Sequence, residues 1–196
     1  MNTSNQFASA VISLNEPMPD RLQALRNDSL ASFQQHGFPG PKEEAWRFTD
    51  VSDIADTEWQ TAAHAVPLPA VGLPGLASHW QSSPWQVIVV DGQFVSSNIP
   101  AQAGLEVGSL KKALQEDPEQ VMTHLGAYAG YEGHPFTALN TAMFSDGLYL
   151  RVAADQLVGQ AIQVFYIQTT APATAIHPRT LHLFDRGRQA PVLETF

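Results

Sequence analysis

The chain has 196 residues, 44% of them hydrophobic and only 15% charged, where an average globular protein is about a quarter charged. Its net charge of −9 argues against nucleic-acid binding, which needs clustered Lys and Arg. With no cysteine, it cannot form disulfides, Cys-zinc sites or clusters ligated by its own thiolates.

The length allows one domain or two small ones, with a sizeable core. A surface so poor in charge suggests that another chain covers part of it. The charge is also uneven. Residues 1–146 hold six basic and sixteen acidic residues, a net of −10, and residues 147–196 hold four basic and three acidic, a net of +1. A domain change near Asp146-Gly147 is therefore expected.

Residues 1–16 are small and polar and read as a loose arm. The first fifteen carry no basic residue and no long apolar run, so no secretory signal is indicated. No stretch approaches the roughly 18 apolar residues of a membrane span. The expected location is the cytoplasm, and no membrane partner is expected. From Arg21 to Gln35, the apolar positions Leu22, Leu25, Leu30 and Phe33 form one stripe of an amphipathic helix. Asp20 is the expected N-cap and Gly37 the expected C-cap, with Pro39 beyond it.

Residues 60–84, rich in Ala, Pro, Gly and Ser, read as a long connection. Trp85 to Val90, Asp91-Gly92 and Phe94-Val95 predict a β-hairpin with a type I′ turn. Helices are expected over Ser109–Gln115, from Asp117-Pro118 to about Gly126, and over Pro135–Phe144. In the second, Pro118 occupies the favoured first position. After Asp146 the pattern changes to short strands: Leu148–Val152, Ala161–Gln168, Arg179–Phe184 and Pro191–Phe196. With no helix between them, they suggest stacked β layers such as a sandwich, a barrel or a β-helix. The chain stops inside the last strand, so a fragment of a longer protein is expected, with an edge that more chain or a partner covers.

Few residues suggest chemistry. The GxSxG, P-loop and GxGxxG patterns are all absent, which argues against the commonest hydrolase and nucleotide sites. Glu43 and Glu44 are adjacent and need not converge on a substrate, and Asp53, Asp56 and Glu58 read as a solvated acidic face. Glu132 and His134 could bind an ion weakly near a helix start, and His124 lies within a helix; ordinary capping or loop roles are expected for these. His177, His182 and Glu194 form an alternative reading, a small β-domain enzyme or metal site, although the tight His-x-His pair of a cupin is missing. Alternation with Leu181 and Leu183 would turn His182 toward solvent or a partner. The densest signal is Gly37-Phe38-Pro39-Gly40-Pro41-Lys42-Glu43-Glu44-Ala45-Trp46-Arg47-Phe48-Thr49-Asp50. In an extended segment Trp46 and Phe48 would share one face and Arg47 the other. These three are read as a clamp pinning the loop to the core, or as an interface anchor.

That segment, with the helix before it, resembles the N-terminal signature of the SufD family, subunits of the SUF iron–sulfur cluster assembly scaffold. The family typically shows a Gly-Leu/Phe-Pro turn, an acidic residue and then Trp-Lys-Tyr-Thr; here Arg47 and Phe48 replace the Lys and Tyr, and Phe48 loses a hydroxyl. Val87-Ile88-Val89-Val90-Asp91-Gly92-Gln93-Phe94 resembles a family strand ending in Asn/Asp-Gly-x-Phe. Phe136, Leu139, Asn140 and Ala142, followed by Asp146-Gly147, resemble its Phe-x-Ala-Leu-Asn-x-Ala…Asp-Gly segment. Ala161-Ile162-Gln163 matches Pro-Ile-Gln after its first position, and His177-Pro178-Arg179 resembles a His/Tyr-Pro-Arg step.

The resemblance implies a mixed α and β fold: a mixed α/β domain over 17–146, then the first strands of a right-handed parallel β-helix over 147–196. It implies a non-catalytic scaffold acting with a SufB-like paralogue and a SufC-like ATPase in a SufBCD complex. A cluster would be held only in that complex, with no cofactor, metal or catalytic residue assigned to this chain. Pairing with a second copy through an exposed β edge is a further expectation.

Overall fold

The computed structural model describes Phe7 and residues 18–61, 84–102, 104–154, 158–169, 173–187 and 189–196. The expected arm, Phe7 apart, and most of the 60–84 connection lie outside the described residues. In chain order the helices are α1 (Asp20–His36), α2 (Ser52–Asp56), α3 (Leu110–Glu116), α4 (Pro118–His124) and α5 (Pro135–Met143), with a 3-10 turn over Glu44–Trp46. The first strands are β1 (Gln60–Thr61), β2 (Trp85–Val90), β3 (Gln93–Ser97), β4 (Leu105–Ser109) and β5 (Gly147–Val152). β6 (Ile162–Ile167), β7 (Thr174–Ala175), β8 (Arg179–Phe184) and β9 (Val192–Thr195) complete the set. None of the described helices is long and apolar enough to cross a membrane.

The chain forms two compact units. The first comprises Met1–Ala62, Leu114–Ser145 and Ala171–His177; the second comprises Ala63–Ala113, Asp146–Thr170 and Pro178–Phe196. This differs from the linear division into 17–146 and 147–196. One crossing does fall at Ser145–Asp146, where the charge pattern changes. The hairpin, however, belongs with the later strands, because β2 takes β6 as its parallel neighbour.

In the first unit, α1 packs along α5. Its buried residues are Leu22, Arg26, Ser29 and Phe33, the four-three-four spacing of one helix face. Phe33, Phe7, Ala138, Leu139, Ala142 and Met143 form the core, with Phe38 set edge-on 5.0 Å from the Phe33 ring. The expected Asp20 cap is not made: Pro19 takes the N-cap position, and Asp20 lies in the first turn, where a carboxylate complements the helix dipole. Gly37 ends the helix as expected, with φ 71°, and its N–H donates to the Phe33 carbonyl at 2.7 Å. Arg26 is only 1% exposed. Its Nη2 donates to the Phe144 carbonyl at 2.5 Å, and its guanidinium carbon lies 5.0 Å from the centre of the Phe144 ring. At the start of α4, the Asp117 carboxylate accepts from the Gln120 N–H at 3.1 Å. β1 and β7 pair in parallel.

The second unit contains a four-stranded sheet, β3-β2-β6-β9, and a three-stranded one, β4-β5-β8. The hairpin joining β2 and β3 turns at Asp91 (φ 48°) and Gly92 (φ 81°), the paired positive angles of a type I′ turn. The buried Asp91 carboxylate accepts from the Thr169 N–H at 2.8 Å and the Thr169 hydroxyl at 2.6 Å, tying the turn to the chain leaving β6. Asp146 performs a similar task just before β5. It accepts from the Ser109 hydroxyl at 2.7 Å, the Lys111 N–H at 2.9 Å and the Phe94 N–H at 3.1 Å.

Alternating residues from both sheets meet in one core: Val87 and Val89, Leu148, Leu150 and Val152, Ile162 and Val164, with Leu105 and Val158. Successive strands then change sheets. β5 pairs in parallel with β8, and β6 with β9. Gly147 lies opposite Arg179 and Ile162 opposite Val192, steps of 32 and 30 residues. Gly147 has φ 152°, and a Cβ there would fall 1.7 Å from the Arg179 carbonyl oxygen, so glycine alone lets β5 begin beside β8. The mixed α and β class expected from the sequence is therefore observed. Strand β4 was not expected, although Leu105 and Val107 alternate as a half-buried strand should.

Candidate functional site

The densest sequence signal lies in the first unit, and it turns rather than extending. The Glu43 N–H donates to the Gly40 carbonyl at 2.9 Å, Trp46 to Glu43 at 2.9 Å, and Thr49 to Trp46 at 2.9 Å. The Glu43 carboxylate reaches back to the Gly40 N–H at 3.2 Å. Consecutive turns therefore separate Trp46 from Phe48, which corrects the shared face expected of an extended strand. Trp46 is half-buried, with its ring 5.2 Å from that of Phe136 on α5. Phe48 points away from the core and is 92% exposed. The exposed Arg47 places its guanidinium carbon 5.3 Å from the Phe48 ring centre. Of the three, Trp46 packs against Phe136, and Arg47 and Phe48 are presented outward.

The segment continues as an acidic face. Asp50 Oδ1 accepts from the Ser52 N–H at 2.9 Å, and hydrogen bonds from the Ser52 backbone and then its side chain hold the Asp50 carboxyl below its usual range. Asp53 and Asp56 follow on α2, and the Trp59 Nε1–H donates to the Ile54 carbonyl at 2.8 Å.

A second group lies at the rim of the two-sheet core. Register corrects the expected orientation of His182: it stands opposite Leu150, and Thr180 stands opposite Leu148, on the core-facing side. β8 is covered on both faces, since Leu181 and Leu183 on its other side are buried too. Glu194 stands opposite Val164, again on the core side but at the exposed edge strand β9. The Tyr166 hydroxyl donates to Glu194 Oε1 at 2.8 Å, and the Phe196 ring stacks on Tyr166 at 4.7 Å. Burial, then the hydrogen bond to Glu194 and its charge, raise the Tyr166 phenol well above its usual range, with Thr180 opposing weakly. The phenol therefore stays protonated and serves as a donor. Burial lowers the His182 imidazole, and the Glu194 charge opposes that shift.

His177 belongs to the first unit, edge-on to Phe7 with ring centres 6.2 Å apart. Its Nε2 is shut off from solvent without a hydrogen-bond partner among the described residues, and burial lowers the imidazole to about 4. The Tyr166–Glu194 pair is a hydrogen bond between a protonated phenol and a carboxylate at the sheet edge. Among the described residues, no three His, Asp or Glu side chains converge as metal ligands, so the His177, His182 and Glu194 reading finds no metal cage there. His124 Nδ1 lies 2.7 Å from the Tyr128 hydroxyl, and Glu132 and His134 are exposed in the turn before α5. What the sequence reading missed was Tyr166, whose place on the core side of β6 follows from alternation with Ile162 and Val164.

Comparison with known proteins supplies what the geometry lacks. Residues 3–164 match the family described as the SufBD protein N-terminal region. The relatives include proteins described as iron–sulfur cluster assembly SufBD family protein ycf24. Those of Trieres chinensis and Porphyra purpurea are 26% and 28% identical to this chain over 114 residues. Each match covers 55% of this chain and 23% of the relative, so the matched part of the chain spans about a quarter of the length of these curated relatives.

Proposed function

The chain belongs to the SufBD family, and on that premise we propose that it is the N-terminal part of a SufD-type scaffold subunit for iron–sulfur cluster assembly. The observation carrying this reading is the family match over residues 3–164. The Gly37-Phe38-Pro39 turn followed by Trp46-Arg47-Phe48-Thr49 favours the SufD type within the family.

The strand order supports the same reading. Parallel return after 32 and 30 residues, alternately in two sheets, is the step by which a β-helix grows one circuit at a time. β8 and β9 are edges of their sheets among the described residues. The proposal sets a further circuit or a SufB-like paralogue against them, with a second copy of the chain as the homodimeric alternative. A SufC-like ATPase would hydrolyse ATP. The cluster is cargo, and its thiolate ligands come from elsewhere in the complex, since this chain has no cysteine. The role of this chain is then to position its partners in the cytoplasm, without catalysis of its own.

Depleting the protein that carries this chain from its own cells tests the reading. Iron–sulfur enzymes should lose activity while their polypeptides persist, and a restored copy should recover them. Unchanged cluster occupancy after depletion would refute the role.

A further inference from the structure

Phe48 is the most exposed large apolar side chain among the described residues. Its presentation is built by the fold around it. The Thr49 N–H to Trp46 carbonyl hydrogen bond closes a turn around it, two further turns precede it, and the Trp46 ring lies against Phe136. An aromatic ring held in water on a preformed turn loses little further freedom when a partner buries it, which is the behaviour of an interface hot spot. Its surroundings narrow the choice of partner. Six exposed carboxylates, Glu43, Glu44, Asp50, Asp53, Asp56 and Glu58, lie within ten residues of it in sequence, against two cations, Lys42 and Arg47. That charge repels nucleic acid and anionic membrane. It also disfavours a second copy, which would bring the same carboxylates face to face.

We propose that the Glu43–Glu58 segment is a docking site for a partner protein that receives the Phe48 ring in an apolar pocket rimmed by Lys and Arg. The inference deepens the scaffold reading and rests on it for the probes, which are the purified SufB-like and SufC-like subunits from the same cell.

Each subunit is titrated against the wild-type chain, the Phe48→Ser variant and the Asp53→Lys/Asp56→Lys variant, at low and high salt. All three proteins should fold alike, because every substituted position is exposed. One of the two subunits should bind the wild type, with affinity falling as salt rises. Phe48→Ser should weaken that binding about 10-fold or more. The double reversal should weaken it and flatten its salt dependence. Hydrogen exchange should show the amides of residues 46–49 slowed in the complex.

Wild-type affinity in both variants, with those amides unprotected, overturns the docking site while leaving the scaffold reading intact. Failure of the wild-type chain to bind either subunit also overturns the docking site, whereas the scaffold reading falls only with the depletion test. Self-association lost in Phe48→Ser would assign the surface to a second copy and contradict the charge argument.

Discussion

Acid should destabilise this protein in part through His177. An ordinary unfolded histidine takes up a proton near pH 6.5, whereas burial holds His177 neutral in the native state down to about 4. Between those values the unfolded chain binds more protons than the folded one, so stability falls as pH falls. The stabilisation is fully present above about pH 6.5 and stops declining below about pH 4, where both states are protonated. A gap of about 2.5 units, at about 1.4 kcal/mol per unit, gives a loss of about 3 kcal/mol between pH 7 and pH 4. That is a large share of the roughly 5–15 kcal/mol that stabilises a typical domain.

The perturbation is His177→Gln, which keeps a neutral polar side chain of similar reach. Urea unfolding of both proteins at pH 7.5, 6, 5 and 4 isolates the effect, because other titrating groups cancel in the difference. The wild type should lose about 3 kcal/mol more than the variant over that range. Equal losses, within about 0.5 kcal/mol, would refute the burial argument for His177.

Four further outcomes are expected. Gly147→Ala should cost on the order of 4 kcal/mol, because its Cβ would meet the Arg179 backbone at 1.7 Å; a melting temperature within a degree of wild type would show that β5 and β8 are not paired this way. Asp146→Ala strands three donors, on Ser109, Lys111 and Phe94, and should cost about 3 kcal/mol in denaturant unfolding. Phe33→Ala should cost about 3–5 kcal/mol, since Phe33 is fully buried among Phe7, Phe38 and the α5 side chains. Phe48→Ser should change stability by less than about 0.5 kcal/mol, and a larger loss would place the ring in the core rather than in solvent.

Local signals carried much of the fold. Asp91-Gly92 marks its hairpin because only certain residues tolerate two positive φ angles in succession. Gly37 and Asp117-Pro118 mark helix ends for similar local reasons. Partners distant in sequence left no such trace. Arg26 sits on the buried stripe of α1 because a carbonyl 118 residues later accepts its hydrogen bond, and no periodicity announces that acceptor. His182 seemed to face away from the core because its neighbours are leucines. In a parallel strand covered on both faces, alternation no longer separates inside from outside. The interleaving of the two units depends on β2 choosing β6, 77 residues on, a pairing that neither strand's composition specifies. At the candidate site the residue types were visible, but the turn that separates Trp46 from Phe48 was not. The sequence alone therefore grouped a half-buried ring and an exposed one that the structure divides.

Native mass spectrometry of the complex purified from its own cells tests the scaffold proposal most directly. The account predicts that the subunit carrying this chain is recovered in one assembly with a SufB-like paralogue and a SufC-like ATPase. Recovery of that subunit alone, in cells where both other proteins are present, would contradict it.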